Sequence, residues 1–329
     1  MNVRNSTYLV IMAGGVGSRL WPMSSSTNPK QTQALFSDTS LLSNTISRAL
    51  RLLPAEQIFI LTGPSMLDAV LQQSSPLSLE QILVEPSGKN TAPAIALSLT
   101  TVMKKNATHL IVWPSDHYIH DEEKWISLHK EAIHASEYSD AVLIGITPTY
   151  AATGYGYIQH KEGTVLAFHE KPTPTRAEQL RELNSLWNAG VLIGKTNSFR
   201  ELFLKFLPIC ISDDVLSRWE EVPSISMDYA ILEKASNLLV LPYKEGWSDL
   251  GDWDSIAEHL PKQKSHSCHP NANVASVNSS NCAAVVQHKM NVAFVDIDDV
   301  IVVCTTDQLL VMKKGAGQKI RTVSDCFEE

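Results

Sequence analysis

Three glycines, an arginine and a lysine near the start of the chain have the types and spacing to bind phosphate. They lie in Tyr8-Leu9-Val10-Ile11-Met12-Ala13-Gly14-Gly15-Val16-Gly17-Ser18-Arg19-Leu20-Trp21-Pro22 and in Asn28-Pro29-Lys30-Gln31. Glycine at 14, 15 and 17 admits positive φ and close backbone approach, so consecutive N–H groups can turn toward an anion. Arg19 can fork onto phosphate oxygens, and Lys30 adds a compact point charge. A tight turn with two solvated cations accounts for the same residues. The stretch has neither the Gly-Lys-Ser/Thr ending of a P-loop nor the spacing of the dinucleotide fingerprint.

Further acidic and amide residues fall in turns. In Glu85-Pro86-Ser87-Gly88-Lys89-Asn90-Thr91-Ala92-Pro93-Ala94, Pro86 and Gly88 force a turn, Thr91 is expected to cap a helix and Pro93 fits its first turn. That account uses neither Glu85 nor Asn90. Asp116, in Trp113-Pro114-Ser115-Asp116-His117, reads alone as a turn residue. Thr153-Gly154-Tyr155-Gly156-Tyr157-Ile158 reads as an aromatic-rich hairpin, and Glu170-Lys171 as a surface turn. Ser226-Met227-Asp228-Tyr229-Ala230-Ile231-Leu232-Glu233-Lys234 has the pattern of a capped amphipathic helix. Asp249, Asp252 and Asp254 lie close together without EF-hand spacing, which argues against a calcium loop.

The elements that must position these residues follow from periodicity. Residues 8–12 are a buried first strand. Ser40 caps a helix whose apolar positions are Leu42, Ile46, Ala49, Leu50 and Leu53, and Pro54 marks its end. Apolar strands are expected at 58–61, 81–84, 110–113 and 141–146, with helices at 92–103 and 122–135 between them. Such alternation predicts a mostly parallel sheet covered on both faces, with ligands at the carboxyl ends of its strands. Residues 261–273 turn polar and read as a linker. Beyond it, short β-type runs at 283–288, 292–296, 300–304 and 308–313 predict a small all-β domain. The expected division is 1–262 and 263–329.

Composition narrows the class. The chain has 329 residues, 44% hydrophobic and 19% charged, which suits a well-buried core, and its net charge of -8 argues against a nucleic-acid or membrane-surface binder. A polyanionic nucleotide would therefore need local cations and a metal. No stretch approaches the roughly 20 apolar residues of a membrane span and residues 1–7 are polar, so a cytoplasmic protein is expected. The five cysteines are scattered and read as reduced thiols. His266, Cys268 and His269 sit close together, but their polar surroundings favour a linker over a metal site.

Taken together, the glycine run with Arg19-Leu20-Trp21-Pro22 and Pro29-Lys30-Gln31 resembles the signature of the sugar-nucleotide pyrophosphorylases, and within them the bacterial monofunctional mannose-1-phosphate guanylyltransferases. Asn90-Thr91-Ala92-Pro93-Ala94, Pro114-Ser115-Asp116-His117 and Trp247-Ser248-Asp249-x-Gly251 match that family in order. The resemblance implies a Rossmann-like, GT-A-like mixed and mostly parallel sheet, followed by a short left-handed β-helix. It implies transfer of GMP from GTP to mannose 1-phosphate, with Mg²⁺, or Mn²⁺ in its place, on Asp116 and Asp249. Arg19, Lys30 and Lys171 would meet the phosphates. Ala13, Gly14, Gly15, Gly17, Glu85, Asn90, Thr91 and Ser115 would hold the nucleotide, and Gly156, Glu170, Asn188 and Asp228 the sugar, while His117 is read as structural. A homodimer is expected on the same ground. The chain departs from the pattern at Ser25, where the family has a second arginine, at Thr32, where it has an aromatic residue, and at Ala152, where it has an acid. Two other readings remain open: a same-fold enzyme using another nucleotide or sugar phosphate, and a regulatory homologue without catalysis.

Overall fold

The computed structural model describes residues 6–15, 17–25, 27–324 and 326–327. Val16 of the glycine run and the polar start at residues 1–5 lie outside them.

The first eleven strands are β1 (Thr7–Met12), β2 (Ile58–Thr62), β3 (Ile82–Val84), β4 (His109–Pro114), β5 (Tyr118–Ile119), β6 (Ala141–Ile146), β7 (Tyr157–Lys161), β8 (Thr164–His169), β9 (Leu186–Lys195), β10 (Leu238–Tyr243) and β11 (Trp247–Ser248). Nine of them form one sheet in the order β3-β2-β1-β4-β9-β6-β10-β8-β7. The first four and the β6–β10 pair are parallel, as alternating strands and helices predict. Antiparallel pairing takes more of the sheet than expected, because β9 runs between β4 and β6 against both, and β7 and β8 form a hairpin at the edge.

Side chains alternate across each strand, so one strand feeds two cores. Leu9, Ile11, Ile58, Ile60, Ile111 and Trp113 face α1 (Leu41–Leu50), α2 (Leu67–Gln73), α4 (Glu122–Ala135) and α5 (Pro174–Glu182). Val10, Phe59, Leu61, Leu110 and Val112 face α3 (Thr91–Met103) and α6 (Thr196–Phe206). Ser40 caps α1 as the sequence predicts, accepting from the Ser43 amide at 3.0 Å. The expected helix over 226–234 is only a π-type turn, Asp228–Leu232.

After α7 (Trp253–His259) come β12 (Lys262–Gln263), β13 (His266–Cys268), β14 (Ala272–Val277), β15 (Ala283–Val286), β16 (Met290–Val295), β17 (Val300–Cys304) and β18 (Leu309–Lys313), then α8 (Ile320–Ser324). The polar stretch at 261–273 is thus not a free linker. Its backbone pairs β12–β13 and β13–β15, and His266, Ser267, Cys268 and His269 are buried. Their polarity misled because it is satisfied internally: the Cys282 amide donates to His266 Nδ1 at 3.3 Å, and His269 Nε2 lies 3.2 Å from the Ala34 carbonyl. All five cysteines are free.

From β14 to β17 the chain coils with parallel pairing, Ala272 facing Met290 and Ala283 facing Ile301, and β18 turns back antiparallel on β17. Asn278 donates to Asp296 at 3.0 Å and Asn281 to Asp299 at 2.7 Å, each across an offset of 18 residues. This coil shares one core with the glycine-run segment: Leu20, Met23 and Leu35 meet Trp253, Ile256, Val285, Ile301 and Val303.

Candidate active site

A cleft of about 410 Å³ opens at the carboxyl ends of the parallel strands, where Met12 and Pro114 end β1 and β4 and Leu61 is the last residue but one of β2. Its rim is the glycine run. Ala13 anchors that run to β2, with its N–H donating to Leu61 at 2.7 Å and its carbonyl accepting from Thr62 Oγ1 at 2.9 Å and Gln31 Nε2 at 3.1 Å. Gly14 and Gly15 line the cleft with their backbone exposed. Gly17 has φ +73°, and a Cβ there would come within 2.4 Å of Lys30 Cβ, so only glycine fits. Arg19 follows on the short turn Ser18–Leu20, exposed and without an ion pair among the described residues.

Apolar Leu61, Ile95, Val112 and Leu192 line the cleft together with several polar side chains, one of which has an atom without a partner among the described residues. Glu85, just past β3, is 5% exposed, and its Oε2 is buried with no hydrogen-bond partner. Burial raises its pKa, against a backbone hydrogen bond at Lys89 that lowers it. A buried acceptor left unpaired costs on the order of 1–3 kcal/mol, and more when it carries charge, so the open Oε2 marks a place for N–H donors of a ligand. Asn90 and Thr91 also line the cleft, but the capping role passes from Thr91 to Asn90. Asn90 sits at φ 70°, and its side chain accepts from the Thr91 amide at 2.8 Å. The Thr91 hydroxyl is thereby left to accept from the Met227 amide at 2.8 Å, tying α3 to the turn that carries Asp228. Ser115 is buried in the same wall, its amide donating to Met12 at 3.2 Å.

Asp116 and Asp249 are far apart in sequence and adjacent in space. The two-residue strands β5 and β11 pair antiparallel, Tyr118 with Ser248, and so carry the two aspartates to the same end. Lys30 joins them, with Nζ 2.7 Å from Asp116 Oδ2 and donating to the Asp249 carbonyl. Burial alone would push Asp116 up, but the Lys30 ammonium outweighs it and holds the carboxyl below its ordinary range. His117 is pushed down to about 4 by burial and is neutral, so its Nδ1 accepts the Trp247 indole N–H at 3.2 Å. That agrees with its reading as structural.

The remaining residues gather on the β7–β9 side. A Cβ on Gly156 would come within 2.7 Å of Glu170 Oε2, so the glycine makes room for that carboxylate. Glu170 pairs with Lys171, which sits in left-handed conformation at φ 40°. Asn188 Nδ2 donates to Asp228 Oδ1 at 3.0 Å, and burial, then Glu170, push Asp228 up to about 6. Sequence reasoning missed Tyr155, whose phenol donates to Asp249 Oδ1 at 2.8 Å. Its position inside a glycine-flanked turn was legible, but the partner was not.

A glycine loop beside two carboxylates, at the carboxyl ends of a parallel sheet, is the construction of a nucleotide-binding transferase, and the chain belongs to the nucleotidyl transferase family, which it matches over residues 8–266. Its relatives include enzymes of one named activity. It is 33% identical to mannose-1-phosphate guanylyltransferase of Salmonella montevideo over 95% of this chain and 72% of that protein. It is 32% identical to mannose-1-phosphate guanylyltransferase 2 of Escherichia coli O157:H7, over 97% and 73%. The crystal structure of mannose-1-phosphate geranyltransferase from Thermus thermophilus superposes with a TM-score of 0.92 at 27% identity, covering 98% of this chain and 100% of that one.

Proposed function

We propose that this chain transfers GMP from GTP to α-D-mannose 1-phosphate, giving GDP-mannose and pyrophosphate. The observation that carries the reading is the unpartnered Glu85 Oε2, a buried acceptor in the cleft beside the glycine loop. Guanine presents an N–H and an exocyclic amine side by side on one edge, a donor pair that suits a carboxylate; adenine and the pyrimidines lack it. The relatives' names support the same nucleotide and sugar.

The residues present also suit a divalent cation. The Asp116 carboxylate and the Asp249 main-chain carbonyl are hard oxygen donors that already hold an ammonium, and the Asp249 carboxylate stands on the same residue. Among the described residues no cluster of three or more His, Cys, Asp or Glu could hold a metal, so phosphates and water would complete its coordination. Mg²⁺, or Mn²⁺ in its stead, would be held by Asp116 and Asp249 and would supply charge neutralisation at the phosphates.

The chain's own residues do the rest. The sugar phosphate has a second pKa of about 6 and attacks as a dianion, so no general base is needed. Repulsion between anions is the obstacle, and positioning with neutralisation is the remedy. Glu170, Asn188 and Asp228 would hold sugar hydroxyls, with Gly156 admitting the ring. Lys171 and Lys30 would meet the reacting phosphates, and Arg19, exposed on the loop, the departing pyrophosphate. We place the working boundary at 262/263 and read the coil beyond it, whose turns are offset by 18 residues, as a short left-handed β-helix, in a cytoplasmic homodimer. No helix among the described residues is long and apolar enough to cross a membrane.

The test is pyrophosphate release with mannose 1-phosphate and Mg²⁺, comparing GTP with ATP, UTP and dTTP. Release with GTP alone is expected, and Glu85→Gln should lower kcat/KM for GTP by about 10- to 100-fold, the effect of losing a charged hydrogen bond. Equal rates with all four nucleotides would overturn the role of Glu85; no release with any would overturn the activity.

A further inference from the structure

Asp249 is held from one side only. Its Oδ1 accepts from the Tyr155 phenol at 2.8 Å and from the Gly251 amide at 3.1 Å, while Oδ2 has no partner among the described residues. The ring itself is braced. It stands edge-on to Trp187 and Trp247, with centroids 5.0 and 5.5 Å away, and Trp247 is hydrogen-bonded to His117, the neighbour of Asp116. The next residue, Gly156, lies against Glu170 on the sugar side.

We propose that Tyr155 is a positioning residue: its phenol fixes Asp249 Oδ1 so that Oδ2 is the oxygen presented to a divalent cation. One wall of aromatic rings then sets both aspartates, through Tyr155 on Asp249 and through Trp247 and His117 beside Asp116. Because Tyr155 and Gly156 are consecutive, the same turn that receives the sugar also orients the metal carboxylate. The inference rests on the metal reading of Asp116 and Asp249.

Tyr155→Phe keeps the ring and its stacking and deletes only the hydroxyl. Mn²⁺ titrated into the purified full chain, with free Mn²⁺ read by its electron paramagnetic resonance signal, should bind roughly tenfold more weakly to this variant, the lower end of what loss of a ligand-orienting hydrogen bond costs. Circular dichroism of both proteins establishes that they are folded, and Asp249→Asn serves as the reference for a lost ligand. Mn²⁺ affinity equal to wild type in Tyr155→Phe, with Asp249→Asn impaired, would overturn the role of Tyr155 and leave the metal site standing. Unimpaired binding in Asp249→Asn, or none in the wild type, would overturn both.

Discussion

Asp228 shows what the β7–β9 side of the cleft costs the fold. Its pKa rises from an ordinary 3.8 to about 6 because burial, and then Glu170, disfavour the charged form. A raised acid binds its proton more tightly when folded, so stability falls as pH rises from about 4 to about 6, and the whole cost is present above that. Each unit is worth about 1.4 kcal/mol, and solvent reaching the partly exposed carboxylate brings the total to about 2 kcal/mol. Asp228→Asn, which keeps an acceptor for Asn188, should therefore be more stable than wild type by about that amount at pH 8 and no more stable at pH 4. Urea unfolding at the two pH values measures it; an equal difference at both would show that ionisation is not the cause. Residue types at this scale were largely readable in advance. Glu85, Asp116, Glu170 and Asp249 stood out as acids in turns, but their pairings with Lys30, Lys171 and Tyr155 were not.

Short elements do the positioning. The β5–β11 ribbon has only two residues on each side, yet it brings Asp116 to Asp249, and no periodicity announces a strand that brief. The turn Asp228–Leu232 looked like a helix because its apolar spacing suits either, and beyond its own bond from the Glu233 amide to the Asp228 carbonyl it is tied down from outside. Its amide at Met227 donates to Thr91, the residue expected to cap α3. Thr91→Val keeps the shape and removes the acceptor. It should cost about 1–2 kcal/mol, the penalty for a part-buried amide left unpaired, and should loosen Asp228 with it. Chemical denaturation gives the first effect and a raised KM for mannose 1-phosphate the second. An unchanged KM would mean that α3 does not set the sugar side.

At the scale of the whole molecule, the C-terminal coil supports the glycine loop. Leu20 and Met23, which flank Trp21-Pro22, pack on Trp253, Val285 and Ile301, and Trp253 Nε1 donates to the Trp21 carbonyl at 2.9 Å. Trp21 also stacks on Phe327 at a centroid distance of 5.2 Å. Ile301 is fully buried in this shared core, and truncating such a side chain to alanine typically costs 2–5 kcal/mol, so Ile301→Ala should lower stability by about 3 kcal/mol. The coil and the large sheet should unfold in one transition, seen alike by far-ultraviolet dichroism and by tryptophan fluorescence. Two separate transitions would show that the coil is not a support for the loop.

The sequence alone settled the strands β1 to β4 and β6, the helices α1, α3 and α4, and the place of the glycine turn after β1, because each depends on local periodicity, capping and the φ that only glycine adopts freely. The tertiary structure decided what local rules do not reach. It set β9 antiparallel into the sheet, buried the polar residues after Pro261 by pairing them, and closed Asp116, Lys30, Asp249 and Tyr155 into one site. Those contacts join segments distant along the chain, and their energy comes from burial and hydrogen bonding that exist only once the segments meet.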